Sequence, residues 1–229
     1  MSSSKGKLLV IDGIDGTGKA TQTALLKERL ESQGRSVVTL DFPQYENNVG
    51  GRVIKQLLRG EFGDFLALDP KAASAYYASD RRESLPKIHN WIAEGNVVIL
   101  DRYVSSNMIH QGSKIKDPEK AKDFLAWLDQ LEYGMMELPR PDAIFYLDVS
   151  AEVAADLLRA RAVKEGGTRD EVEGNLKHMI ESRECALNIV GGTVSKWVRI
   201  ICSGENNELL AKEVIHEKIY QSTQKILAA

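Results

Sequence analysis

The stretch Leu8-Leu9-Val10-Ile11-Asp12-Gly13-Ile14-Asp15-Gly16-Thr17-Gly18-Lys19-Ala20-Thr21 decides the fold. Its first four residues are an unbroken apolar run of strand length. A strand apolar at every position is covered on both faces. From Gly13 the spacing is G-x-x-x-x-G-K. The adjoining stretch, Lys19 to Gln33, reads as a helix, with Ala24, Leu25, Leu26 and Leu30 apolar and Gly34 as its stop. In this context the glycines let backbone N–H groups turn inward, and the helix N-terminus adds positive potential, so the loop suits phosphate. Lys19 then reaches the outer phosphates of a nucleotide. A dinucleotide loop needs G-x-G-x-x-G. Gly16-Thr17-Gly18-Lys19-Ala20-Thr21 lacks the third glycine and carries a lysine in the turn, which excludes that reading. One residue is off-pattern: Ala20 stands where a metal-binding hydroxyl is expected. Thr21 is rotated ~100° around the helix from it and is no obvious substitute.

Outward from this loop the chain alternates. Strands are expected at Val37–Leu40, Val97–Leu100, Ala143–Leu147 and Val198–Cys202. A short helix is expected over Gly51–Leu58. A longer one starts at Asp69-Pro70 and reaches Gly95, with a kink at Pro86. Asp117-Pro118 opens another, running towards Gly134, and helices fill the gap before the last strand and the tail after Glu205. Apolar strands separated by helices make an α/β fold: a five-stranded parallel sheet with helices on both faces. No repeat or linker divides the chain, so residues 1–229 read as a single domain. The segment of about 159–173 is dense in charge, carries Gly166-Gly167, and reads as a mobile lid.

The 229 residues are 43% hydrophobic and 28% charged, an ordinary globular balance that excludes disordered and collagenous classes. A net charge of −3 argues against a nucleic-acid coat or an anionic membrane surface. Two cysteines, Cys185 and Cys202, make no disulfide framework and fit a reducing compartment. No run is long enough to span a membrane, and Met1-Ser2-Ser3-Ser4-Lys5-Gly6 has no apolar signal core. A cytoplasmic protein is expected.

Three further groups carry chemistry. Asp101-Arg102-Tyr103-Val104-Ser105-Ser106-Asn107, with His110-Gln111-Gly112, comes after the third strand, and ligands collect at the carboxyl ends of strands in open parallel sheets. Asp101 can hold Mg²⁺, and Arg102 can grip a phosphate. Tyr77 and Arg81 share a helix face, one suited to stacking on a nucleobase and the other to reading its edge. Arg159, Arg161, Lys164 and Arg169 supply the cations that spread negative charge in phosphoryl transfer calls for. His110 reads as a pocket wall, because an anionic phosphate nucleophile needs no base. His89, His178 and His216 show no metal spacing. Trp91, Trp127 and Trp197 read as core.

Together these pieces resemble the thymidylate kinase family of P-loop nucleoside monophosphate kinases, over nearly the whole chain. Phe42-Pro43, Gly50 to Leu57, Tyr77 with Asp80-Arg81, and Asp101-Arg102-Tyr103 with Ser106 and Gln111-Gly112 are the specific parts. The resemblance implies transfer of the ATP γ-phosphoryl group to dTMP, with Mg²⁺, in a homodimer. It implies that Gly13, Ile14, Asp15, Gly16, Thr17, Gly18, Lys19, Ala20 and Thr21 bind the ATP phosphates. It implies that Asp15 meets the deoxyribose 3′-hydroxyl and that Phe42, Pro43 and Leu57 line the nucleoside pocket. Tyr77 would stack on thymine, Arg81 would bond its carbonyl edge, and Ser106 and Gln111 would complete the base site. Arg102 would hold the dTMP phosphate, with Asp101 near the metal, and Lys19, Arg102, Arg161 and Arg169 would be catalytic.

One branch of the family carries a catalytic arginine in the loop, at the position of Gly16. This chain looks like the other branch, in which the lid supplies it. Ala20, Tyr45 (often a phosphate-binding arginine) and Ile109-His110 depart from common patterns. Rival readings are a nucleotide kinase for dUMP or another monophosphate, and an inactive P-loop binding protein. A regulatory GTPase needs N-K-x-D, which is missing.

Overall fold

In the computed structural model, which describes residues 6–65, 67–164, 176–192 and 196–228, the opening apolar run forms β1 (Lys7–Asp12). Four strands join it: β2 (Val37–Asp41), β3 (Val97–Asp101), β4 (Ala143–Asp148) and β5 (Trp197–Ile201). All pair in parallel, in the order β2-β3-β1-β4-β5, so β1 is central. The expected sheet is therefore present, each strand within about a residue of its expected span.

The pleat explains why β1 is apolar throughout. Leu9 and Ile11 face one core with Ile99, Phe145 and Leu147, while Leu8 and Val10 face the other with Val98, Leu100 and Ile144. The first core is closed by Leu26 and Leu30 of α1 (Lys19–Ser32) and by Ile215 and Ile219 of α8 (Lys212–Ala228). The second is closed by Leu85 and Ile88 of α3 (Pro70–Ala93) and by Val104 of α4 (Val104–His110). Helices α2 (Val49–Leu58), α5 (Pro118–Asp129), α6 (Ala151–Lys164) and α7 (Leu176–Gly191) complete the described residues.

Two expectations change, while helix α3 runs through Pro86 to Ala93, close to its expected end at Gly95. Pro86 and Arg82, whose carbonyl loses its partner, both lie on the exposed side, so water can take that carbonyl. Helix α5 ends early and passes into a π-helical turn over Gln130–Met135. Trp91, Trp127 and Trp197 are only partly buried. Trp127 lies at the rim beneath the Lys71 ammonium, 5.2 Å from its ring, and Trp197 stands on the edge strand β5. Cys185 and Cys202 are free thiols, and among the described residues no helix is long and apolar enough to cross a membrane.

Ile99 is fully buried between β1 and β2 in the first core. Ile99→Ala is expected to cost about 2–5 kcal/mol, through lost burial and the cavity left behind. Urea unfolding monitored by circular dichroism measures it.

Candidate active site

The register between β1 and β3 sets Ile11 beside Asp101, so the loops leaving the two strands emerge together. The first loop starts at Asp12, a fully buried carboxylate. It accepts from the Gly13 amide at 2.8 Å, from Ser105 Oγ at 2.5 Å, and from Ser106 Oγ at 3.0 and 2.9 Å. Asp12 thereby ties the base of the phosphate loop to the start of α4.

Ile14 is buried, and Thr17 Oγ1 donates to its carbonyl at 2.9 Å. Gly16 and Gly18 have φ of 81° and 82°, the left-handed region where glycine is favoured. A Cβ at Gly16 would lie 2.4 Å from the Ala154 carbonyl oxygen and 2.9 Å from Leu158 Cγ. Helix α6 therefore packs against this loop, and no side chain fits at Gly16. Gly18 caps α1 with no side-chain hydrogen bond, whereas α3 and α5 are capped by Asp69 and Asp117. The first amides of α1 are left for an anion. Ala20 and Thr21 are exposed.

Lys19 is buried, and its ammonium donates to the Gly13 and Ile14 carbonyls at 3.1 and 2.8 Å, closing the loop on itself. Burial pushes its pKa down to about 8, Arg102 adds to the fall, and Asp15, Asp12 and Asp101 oppose it.

Arg102 comes directly after β3 with φ 69°, a strained value for a residue with a Cβ. Its amide continues the ladder to the Ile11 carbonyl at 3.0 Å, which holds it there. Its guanidinium makes an ion pair with Asp15 and lies 3.2 Å from His110 Nε2. Arginine only donates, so His110 Nε2 must accept and the ring is neutral. Burial and then Arg102 push the His110 pKa down to about 3. Asp15 is half-buried, and that burial raises its pKa, but Arg102 and Lys19 outweigh it and hold the carboxyl far below the usual carboxylate range. Asp101 moves the other way: its burial raises it more than Lys19 and Arg102 lower it.

A cleft of about 220 Å³ runs from this cluster towards α3. At roughly 30 Å³ per liquid water it takes about seven waters or a planar base. Asp15, Arg102, Phe42, Pro43, Tyr77, Arg81, Ser106 and Gln111 are among the residues that line it. Gln111 Oε1 is buried with no hydrogen-bond partner. Burial pushes the Tyr77 hydroxyl up to about 12, and its ring packs 5.9 Å from Phe65. Arg81 is almost wholly buried; Glu132 binds it through Nε at 2.9 Å and through Nη2.

Most of the residues singled out from the sequence therefore meet in one place. Leu57 does not: it packs behind the wall with Phe65 and Ala73, and Leu58 faces the cleft. Asp101 stands beside Lys19 and Arg102 without lining the cleft. Sequence reasoning missed Asn107, Lys114 and His178. Asn107 was recoverable, since it sits three and four residues before His110 and Gln111 on one helix face. Phe65, in a loop without periodicity, was not. His110 is the wall residue expected, with the His178 ring 5.6 Å away. Arg161 is exposed near the end of α6, seven residues beyond Ala154 and three beyond Leu158. It thus shares the helix face that packs on Gly16. Arg169 and the rest of the expected lid from 165 onwards lie outside the described residues.

If Lys19 loses its proton near pH 8 before nucleotide binds, the charge available to ATP falls as pH rises. The kcat/KM for ATP is expected to drop with an apparent pKa of about 8, while kcat, measured with phosphates bound, holds to higher pH. A pH series of initial rates checks this.

The family model described as thymidylate kinase matches residues 11–214. A thymidylate kinase of Mycobacterium tuberculosis (strain CDC 1551 / Oshkosh) is 37% identical over 167 residues, 72% of this chain and 77% of the relative. One from Pelotomaculum thermopropionicum is 26% identical over 98% of this chain and 96% of its own length. A probable thymidylate kinase of Pyrococcus abyssi is 30% identical over 94% of each. With the phosphate loop and the cleft now placed side by side, the match over most of the chain establishes that it belongs to the thymidylate kinase family.

Proposed function

We propose that the chain performs its family's reaction in this cleft, with dTMP lying between the phosphate loop and Arg81. The reaction is transfer of the ATP γ-phosphoryl group to dTMP, giving ADP and dTDP. The observation that carries the assignment is one continuous cleft with Asp15 and Arg102 at the phosphate-loop end and Tyr77 and Arg81 at the other. A nucleoside monophosphate has the same two unlike ends, an anionic phosphate and a planar base.

Gly13 to Thr21 cradles the ATP phosphates, and the uncapped start of α1 supplies amides to them. Arg102 grips the dTMP phosphate, exchanging its pairing with Asp15 for the substrate, and Asp15 turns to the 3′-hydroxyl. Neutral His110, accepting from Nη1, keeps the guanidinium plane fixed during that exchange. Tyr77 stacks on thymine while Phe42 and Pro43 enclose the nucleoside. Arg81 donates to the base carbonyl, and Ser106 and Gln111 complete the base site. The acceptor oxygen is already anionic, so positioning and charge neutralisation by Lys19 and Arg102 carry the step, without a general base.

Mg²⁺ accompanies ATP, where it neutralises phosphate charge. Among the described residues there is no cluster of three or more metal-ligating side chains. A single carboxylate, Asp101, fits an ion that keeps water and phosphate oxygens around it. Asp12 is committed to Ser105, Ser106 and the Gly13 amide. The lid arginines complete the charge balance. The crowding at Gly16 supports a lid supply, because the loop has no room for its own arginine.

Coupled assays with ATP, Mg²⁺ and a panel of monophosphates test the reading. Arg102→Ala is expected to lower kcat/KM by ~100–1000-fold. Equal efficiency on dCMP and dTMP would overturn the placement of the base. For the lid, Arg169→Ala is expected to lower kcat with little change in the KM for dTMP, since it acts on the transferring group. Arg161→Ala in parallel shows which arginine carries that role.

A further inference from the structure

The proposed roles leave one fully buried carboxylate unused. Glu132 lies in the π-helical turn Gln130–Met135, at no measurable exposure. Its Oε2 accepts from Arg81 Nε at 2.9 Å. Its Oε1 is shared by Arg81 Nη2 and by Asn107 Nδ2, the latter at 2.8 Å. Asn107 Nδ2 also donates to the Ser74 carbonyl at 3.2 Å. Arg81 and Asn107 both line the cleft, and they come from different helices, α3 and α4. One carboxylate therefore holds two cleft-lining side chains, from two different helices, next to each other.

We infer that Glu132 is the positioning residue for base selection: by clamping Arg81 and Asn107 it dictates which base edge the cleft accepts. This rests on the proposed function, in which Arg81 donates to the thymine carbonyl. The geometry supplies the reasons. A guanidinium has five N–H groups in a rigid fork. Glu132 takes Nε–H and one Nη2–H, which holds the guanidinium plane and leaves the Nη1 hydrogens and one on Nη2 for a ligand. Asn107 has its amide nitrogen committed to two acceptors, which fixes its flip state and leaves Oδ1 as the acceptor it can offer. A fixed donor and a fixed acceptor held side by side suit a carbonyl beside an N–H, the pattern on the thymine edge. They oppose cytosine, which carries an amino group beside an unprotonated nitrogen. Glu132 also cancels the guanidinium charge, so the site presents an ordered hydrogen-bonding edge to a neutral base.

The π-turn is part of the device. An ordinary continuation of α5 would advance each residue by ~100° and carry position 132 to another azimuth. The wider turn lets the chain present Glu132 inward between Leu131 and Tyr133, at a place where single π-turns recur near functional sites.

The test compares kcat/KM for dTMP and dCMP on wild type, Glu132→Gln, Glu132→Asp and Arg81→Ala. The ratio of two substrates on one preparation is independent of the fraction folded. In Glu132→Gln the dTMP preference is expected to fall roughly 10–100-fold, with the loss in KM for dTMP and kcat within about threefold. Glu132→Asp, which keeps the charge but shortens the reach, is expected to recover part of the preference. If Arg81→Ala destroys the preference while both Glu132 variants keep it, the inference is overturned and the reading of Arg81 stands. If Arg81→Ala keeps the preference, the reading of Arg81 fails and the inference fails with it. If neither Glu132 variant yields folded protein by circular dichroism, Glu132 is a structural residue and the inference is likewise overturned.

Discussion

The parallel register of β1 against β3 is the constraint on which the site depends. Ile11 sits beside Asp101, so the phosphate loop and the Asp101-Arg102 turn leave the sheet side by side. A slip of one residue would invert the faces of one strand relative to the other, moving Leu9 and Ile11 out of the core they share with Ile99 and into the opposite one. The two cores are built from different helices, and neither could accept the swap. Packing thus enforces a register that the chemistry uses. The bonds from Asp12 to Ser105 and Ser106 then lock the second loop to the first, so neither can shift alone.

Much of this was readable from residue order. Uninterrupted apolar runs marked the three inner strands β1, β3 and β4, because a strand covered on both faces has no polar alternation to blur it. The phosphate loop was readable because its glycine spacing is a backbone requirement: Gly16 is both left-handed and pressed against α6. Legibility failed where a choice between adjacent apolar residues mattered. Leu57 and Leu58 both extend the stripe begun by Ile54, and helical periodicity cannot say which leans into the cleft. It failed again at Glu132. A lone acidic residue late in a helix carries no motif that marks it as internal, and the π-turn in which it lies has no compositional mark either. The tryptophans erred in the other direction: large rings can seal a rim as well as fill a core.

The two arginines of the cleft show how burial divides one kind of interaction into two uses. Arg102 and its partner Asp15 keep 21% and 46% of their side chains exposed, while Arg81 and Glu132 keep 2% and 0%. An exposed ion pair is generally worth about 0–1 kcal/mol, so a substrate phosphate can replace its carboxylate at little cost. Parting a buried pair costs about 3–5 kcal/mol in general, because a charge is stranded in low dielectric. A phosphate site must release and regrip its ligand every turnover, and the looser pair suits it. A site that reads a neutral base gains from a donor that never moves, and the sealed pair suits that. Arg102 sits at a strained φ on a turn, next to a loop that must admit ATP; Arg81 sits on a 24-residue helix. Backbone rigidity and electrostatic burial therefore vary together across the cleft, and under the proposed assignment the exchangeable contact falls to the phosphate and the permanent one to the base.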